Sequence, residues 1–244
     1  MNHKTCVAPI KNVQYDDGHD ISIIIPTAKY GRNLKGYGNK SLLPFNNTTV
    51  IEHQINTIQN VYSKADIIIV INDDGNKIRK LIREKYPTIR CVYNPNICDT
   101  NILYSISMGL YTILNNKVLI IPGDIIFNED SIRGITTGQS KTLIDTNHYI
   151  SKTKIGIIST NNIVENYCYD IPLKWGKILY LEGNEYRMFE GIATNKDYTK
   201  WCFHEGLNKL IEVGGKIRSF YPDSYFIFEI DTPQDIERLK KIKI

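Results

Sequence analysis

Apolar residues in the first half of this chain fall into short, continuous, β-branched runs separated by stretches of helical spacing. Ile21-Ser-Ile-Ile-Ile25 is the first run, and Pro26 ends it. A run this short and this continuous predicts a strand buried on both faces. From Val50 to Tyr62 the residues Ile51, Ile55, Ile58 and Tyr62 recur at helical spacing, which predicts a helix with one apolar stripe. Residues 66–71 predict a second strand. The polar turn Asn72-Asp-Asp-Gly75 leads into a helix reaching about Tyr86, and residues 90–93 predict a third strand. Thr100 is positioned to cap a helix carrying Leu103, Ile106, Leu110 and Leu114, before a fourth strand at 118–121. This alternation predicts an α/β fold with a mostly parallel sheet covered by helices on both faces.

The second half has another rhythm. Apolar runs at 142–145, 155–158, 177–181 and 188–193 are separated by polar turns and predict mixed or antiparallel strands, a smaller antiparallel region beside the parallel sheet. A helix over about 197–213 and late strands at 217–220 and 225–230 follow. Thr232-Pro-Gln-Asp235 then opens a helix bearing Ile236, Leu239 and Ile242: Thr at the cap, Pro at the first position and an acid at the third are a strong helix start. Residues 1–20 are polar and poorly patterned, and read as an extension with one edge strand around Cys6 to Ile10. Residues 21–244 read as one domain, without internal repeats or a linker-like stretch.

Composition narrows the function. The chain has 244 residues, 42% hydrophobic and 23% charged, with a net charge of +4, as expected of a soluble globular protein. Its basic residues form no block, so neither nucleic acid nor a membrane is an expected partner. The five cysteines, Cys6, Cys91, Cys98, Cys168 and Cys202, form no C-x-x-C pair and read as free thiols in a reducing, cytoplasmic compartment. No signal peptide is visible, and no apolar run approaches the roughly 18–20 residues that span a bilayer. The sequons at Asn46 and Asn47 read as Asn-rich composition.

The candidate chemistry starts at Asp124. The run Lys117-Val-Leu-Ile-Ile-Pro-Gly-Asp124 delivers a carboxylate to the end of a buried strand, the side on which open α/β sheets bind ligands. A second acidic pair, Glu229 and Asp231, ends another apolar run, and Lys40 follows the loop after the first strand. Separated carboxylates and a lysine at one sheet edge can hold a magnesium–nucleotide complex. The loop contains Gly31, Gly36 and Gly38 with Arg32 and Lys40, but neither G-x-x-x-x-G-K-[ST] nor G-x-G-x-x-G, which argues against a P-loop or a dinucleotide fingerprint. Each residue also has a plainer reading. Asp124 can cap a following helix, Asp231 can belong to the turn before the last helix with Glu229 as the ligand, and Asn101 and Ser105 can be helix-start polar residues. His53 reads as packing, Glu205 as a solvated helix face, and Trp175 and Trp201 as core or rim.

Four segments in order carry a family resemblance. Asn39-Lys-Ser-Leu-Leu-Pro44 with Val50-Ile-Glu-His-Gln-Ile55 resembles the N-terminal signature of the nucleotidyltransferases that make sugar nucleotides. Asp99-Thr-Asn-Ile-Leu-Tyr-Ser105 is similar to a stretch of the phosphocholine cytidylyltransferase branch. Pro122-Gly-Asp124 looks like the family's metal motif, and Phe228-Glu-Ile-Asp-Thr-Pro-Gln-Asp235 like its closing segment. The resemblance spans about residues 21–240 and implies a Rossmann-like mixed sheet. The glycine loop departs from the family: Thr27-Ala-Lys-Tyr-Gly31 stands where Ala-Gly-x-Gly is usual.

The resemblance implies that Ala28 lines the nucleotide and that Gly31 helps hold the triphosphate. Arg32 would hold the triphosphate and stabilise departing pyrophosphate, and Lys40 would bridge the phosphates of nucleotide and acceptor. Asp124 and Asp231 would hold Mg2+, while Asn101, Ser105 and Glu229 would contact nucleotide or substrate. The implied reaction joins an NTP, CTP favoured, to a small phosphorylated acceptor, with homo-oligomers compatible. Lys152, Lys154, Lys174 and Lys177 are equal candidates for the acceptor phosphate. A glycosyltransferase of the same sheet type and a non-catalytic nucleotide-sensing domain are the rival readings. The first normally shows Asp-x-Asp where this chain has Gly-Asp124-Ile-Ile. The second would bind nucleotide without product.

Overall fold

A computed structural model describes residues 16–27, 34, 36–72, 75–146 and 153–244. The expected edge strand at 6–10 lies outside the described residues, as do Ala28, Gly31, Arg32 and Lys152. The strands are β1 (Ile21–Pro26), β2 (Pro44–Phe45), β3 (Thr48–Thr49), β4 (Asp66–Ile71), β5 (Arg90–Tyr93), β6 (Lys117–Ile120), β7 (Ile125–Phe127), β8 (Lys141–Asp145), β9 (Ile155–Thr160), β10 (Ile163–Tyr169), β11 (Lys174–Leu181), β12 (Arg218–Phe220) and β13 (Ile227–Glu229). The helices are α1 (Val50–Val61), α2 (Asn76–Lys85), α3 (Ile102–Leu110), α4 (Gly183–Ala193), α5 (Phe203–Glu212) and α6 (Pro233–Leu239).

Nine strands form one sheet in the order β5-β4-β1-β6-β11-β8-β12-β10-β9. The β5-β4-β1-β6 half is parallel throughout. Beyond it β11 runs antiparallel to β6 and β8, and β9 and β10 are antiparallel. The fold is thus the expected mixed α/β sheet, parallel first and antiparallel later. From β1 the chain builds outward through β4 to β5, then returns to β1's other side as β6. The strand order therefore reverses between β1 and β6, and the crevice beyond their carboxyl ends is where such sheets place ligands.

The continuous apolar strands are buried on both faces because each face has its own helical cover. Ile21, Ile23 and Ile25 share one core with Ile51, Ile55 and Ile58 of α1 and Ile78 and Ile82 of α2. Ile24 points the other way, into a core with Leu103 and Ile106 of α3, Phe189 of α4 and Leu207 of α5. This is the period-two alternation of a strand, apolar on both sides.

Several boundaries differ from the expectation. Residues 188–193 belong to α4, not to a strand: its buried residues Tyr186, Phe189 and Ile192, with Ala193 beside the last, recur at a spacing of three that a six-residue apolar window conceals. The helix expected over 197–213 is a 3-10 turn at Lys196–Tyr198 followed by α5. Asn101, not Thr100, caps α3, its side chain accepting from the Ile102 amide. Leu114 lies beyond α3 and is 74% exposed.

Two glycines test this packing in opposite directions. A Cβ on Gly109 of α3 would sit 2.7 Å from Ile24 Cγ2, whereas one on Gly191 of α4 meets nothing within 4 Å. Gly109→Ala is expected to destabilise by about 1–3 kcal/mol through overpacking. Gly191→Ala is expected to stabilise by about 0.5–1 kcal/mol through helix propensity. A urea midpoint for Gly109→Ala equal to or above that of wild type would contradict the packing of α3 on β1.

Candidate active site

The crevice beyond β1 and β6 is built by local structure that the sequence makes nearly obligatory. After β1, Asn39 anchors the returning loop: its Nδ2 donates to Thr27 O (3.0 Å) and its Oδ1 accepts from Ser41 N (2.9 Å). That cap starts a 3-10 turn at Lys40–Leu42, and Ser41 Oγ donates to Gly123 O at 2.7 Å. Lys40 is thereby fixed beside the turn that follows β6. Gly123 is required there by close approach: a Cβ would lie 2.7 Å from both Ser41 Oγ and Thr27 Cγ2. The next residue, Asp124, enters the crevice.

Asp231 arrives from the far end of the chain. Strands β7 and β13 pair antiparallel, with Glu229 opposite Ile125, and Ile230 N donates to Asp124 O at 2.9 Å. Asp235, third residue of α6, accepts from Asp231 N (3.0 Å), Thr232 N (2.9 Å) and Thr232 Oγ1 (2.8 Å). The helix start expected at Thr232 therefore also orients Asp231.

The side chains form an alternating chain of charge. Lys40 Nζ donates to Asp124 Oδ2 at 3.2 Å and to Asp231 Oδ1 at 3.0 Å. Lys154 Nζ lies 2.7 Å from Asp231 Oδ2 and 2.9 Å from Glu229 Oε2, and Lys177 pairs with Glu229 Oε1. Among the described residues three carboxylates face three ammonium groups, and their formal charges cancel. Lys177 sits in the irregular stretch of β11 between Trp175 and Leu179, with φ at +61°. A bulge of this kind re-aims a side chain, here out of the sheet towards Glu229.

Burial and partners oppose one another at each group. Burial disfavours the charge on Lys40 and Lys177, yet the facing carboxylates outweigh it and hold both above the ordinary lysine range. Burial would raise Glu229 and Asp231. Lys177 and Lys154 overcome it at Glu229, and Lys154 and Lys40 at Asp231, so both carboxyls are held below their usual values.

These charges line one side of a cleft of about 350 Å³, with Asn101, Tyr169, Trp175, Phe203 and His204 among the residues of the remaining wall. Trp175 packs on Tyr167 and Phe203 and donates its indole N–H to Thr142 Oγ1 at 2.8 Å. Trp201 stacks on Tyr198 at 3.7 Å. Asn101 is on the cleft wall as well as at the helix cap. Ser105 is elsewhere: it is on the buried face of α3 and its Oγ accepts from Asn94 Nδ2 at 3.0 Å. Glu205 closes the cap of α5, and His53 bonds Phe127 O at 2.9 Å, so both are structural.

Of the four candidate lysines, Lys154 and Lys177 line the cleft, while Lys174 pairs with the buried Asp145 at 2.9 Å. Sequence reasoning missed the supports Asn39, Ser41 and Gln54, and read Asp235 only as a helix-start acid. The signal for Gln54 was present, since an amide stands between Ile51 and Ile55 in an apolar helix face. The donor chemistry suits a hard divalent cation. Carboxylates from two distant segments converge on one positive centre, and water and phosphate oxygens are the usual further ligands of Mg2+.

Residues 23–143 match the family model described as the MobA-like NTP transferase domain. No curated protein matches the sequence significantly. Among solved structures, the inositol-1-phosphate CTP transferase from T. maritima is similar at TM-score 0.75 and 13% identity, covering 93% of this chain and 97% of that one. The CTP:phosphocholine cytidylyltransferase from Streptococcus pneumoniae is similar at 0.72 and 18%, covering 91% and 98%. The nucleoside-diphosphate-sugar pyrophosphorylase from Vibrio cholerae RC9 is similar at 0.70 and 11%, covering 90% and 100%.

Glu229→Gln would leave Lys177 without its counter-charge. At pH 7 the expected loss is about 3–5 kcal/mol, the range for breaking a buried pair. Because the folded pKa of Glu229 is depressed, its contribution is complete above the unfolded value of about 4.3. It is lost as pH falls through the folded value. The stability gap between wild type and variant should therefore narrow below about pH 4. A gap of the same size from neutral to strongly acidic pH, measured by urea denaturation, would contradict the pairing.

Proposed function

We propose that this chain, a nucleotidyltransferase carrying the MobA-like NTP transferase domain, joins an NTP to a small phosphorylated acceptor and releases pyrophosphate. CTP is the favoured nucleotide. The acceptor is a sugar 1-phosphate, phosphocholine or a similar phosphomonoester, and the product an activated precursor for polysaccharide synthesis in the cytoplasm. The observation that carries the reading is the convergence of Asp124 and Asp231 on Lys40 at the strand-order reversal. The CTP preference is supported by the resemblance of the Asp99–Ser105 stretch to the cytidylyltransferase branch, and by the likeness to two structures whose names specify CTP.

In this reading Asp124 and Asp231 hold Mg2+, which when bound neutralises phosphate charge. Lys40, whose Nζ lies between the two carboxylates, would be the ammonium group that meets the phosphate oxygens. Lys154 and Lys177 receive the acceptor phosphate, because both carry ammonium groups to the cleft. Ala28 lines the nucleotide, and Gly31 and Arg32 hold the triphosphate. A phosphate dianion on the acceptor is already a nucleophile at neutral pH, so no general base is needed. The protein's task is to align attacking oxygen, α-phosphorus and leaving pyrophosphate, and to offset their charge. One unit spanning 21–244 carries the whole site.

Pyrophosphate release, measured with Mg2+, each of four NTPs and a panel of sugar 1-phosphates and phosphocholine, is expected to require both substrates. Asp124→Ala should lower it at least about 100-fold, the scale of a lost electrostatic group in a transition state. Lys154→Met should raise the acceptor KM by about tenfold, the equivalent of one charge-assisted hydrogen bond, and the NTP KM by less. Release that ignores the acceptor, or persists in Asp124→Ala, would refute the proposal.

A further inference from the structure

Gln54 is fully buried, 0% exposed, on the face of α1 that otherwise presents Ile51, Ile55 and Ile58 to the core. Its Nε2 donates to Pro122 O at 2.9 Å and to Ile125 O at 2.7 Å, which uses both amide hydrogens. Among the described residues its Oε1 has no hydrogen-bond partner. A position that needed only filling would take Leu or Met, since a buried unpaired acceptor is unfavourable.

The two carbonyls it holds bracket Gly123 and Asp124. The inner two are held by other segments: Gly123 O accepts from Ser41 Oγ at 2.7 Å and Asp124 O from Ile230 N at 2.9 Å. All four carbonyls from Pro122 to Ile125 are therefore tied, two of them by one side chain. Without Gln54 those two are left buried beneath α1, and the turn can relieve them only by rotating its peptides. Such a rotation displaces the Asp124 side chain.

Resting on the proposed role of Asp124 as a cation ligand, we infer that Gln54 is a positioning residue for that ligand. It touches no substrate atom. It fixes the direction of the Asp124 carboxylate, and its effect is on divalent-cation affinity as well as on stability. Outer-shell partners of metal ligands commonly alter affinity by about 10–100-fold.

The test is Mn2+ binding read by electron paramagnetic resonance, with the NTP that supports turnover and no acceptor, together with urea denaturation. Wild type should bind Mn2+ in an Asp124-dependent manner. Gln54→Met should weaken that binding by about 10–100-fold. Ile55→Val, a core change on the same helix that removes no hydrogen bond to the turn, should lower stability but leave binding well short of the about 10-fold weakening of a lost outer-shell partner. Gln54→Glu, kept protonated by burial, retains one donor and should fall between wild type and Met. If the Met variant does not fold, the Glu variant decides by the same constant. Wild-type Mn2+ affinity in a folded Gln54 variant of reduced stability would overturn the inference and leave the proposed function intact. Absence of any Asp124-dependent Mn2+ signal in wild type would overturn both.

Discussion

Among the described residues, three carboxylates and three ammonium groups meet at one sheet edge; Lys40 and Glu229 are buried and the other four partly exposed, and the buried ones depend on neighbours of opposite sign. Remove one and the rest are left with a buried, uncompensated charge, which few folds can sustain. The geometry of Asp124, Lys40, Asp231, Lys154, Glu229 and Lys177 therefore constrains everything around it. Lys40 stands between two carboxylates; under the proposed function a divalent cation would take over their neutralisation and leave Lys40 for phosphate.

The scaffold supplies this arrangement from five distant stretches of chain, around residues 40, 124, 154, 177 and 229–231. The parallel half of the sheet ends β1 and β6 side by side, which puts Thr27 and Gly123 in contact. The loop to Lys40 is pinned by Asn39 and Ser41 to those same two strand ends. The short β7–β13 pair brings the C-terminal segment alongside Asp124, and the irregular stretch of β11 turns Lys177 to meet Glu229. Rigid strands thus fix where each backbone ends, and side-chain caps at Asn39 and Asp235 fix which way the charged residues face.

Much of this was legible in the sequence where one local rule decides. Continuous β-branched runs gave the parallel strands, and Thr232-Pro-Gln-Asp235 gave the last helix start. Gly-Asp124 and Asp231 could be picked out because strand ends are where open sheets carry chemistry. What escaped depends on non-local partners. Residues 188–193 looked like a strand because the helical spacing of Tyr186, Phe189 and Ile192 starts before that run. The choice among four lysines turned on a bulge and on a buried Asp145, and neither shows in one dimension. Ser105 is polar at helical spacing from Asn101, but its partner is Asn94 beneath the sheet's other cover. Gln54 carried a visible signal, an amide in an apolar stripe, whose meaning appears only when the carbonyls of Pro122 and Ile125 lie above it.

The most direct test of the central claim is a crystal structure with Mn2+ and the nucleotide that supports turnover, with the metal located by its anomalous scattering. The account predicts an anomalous peak between the carboxylates of Asp124 and Asp231, with Lys40 displaced from between them onto phosphate oxygens. A peak bound elsewhere, or an Lys40 that still bridges Asp124 and Asp231 with nucleotide present, would contradict it.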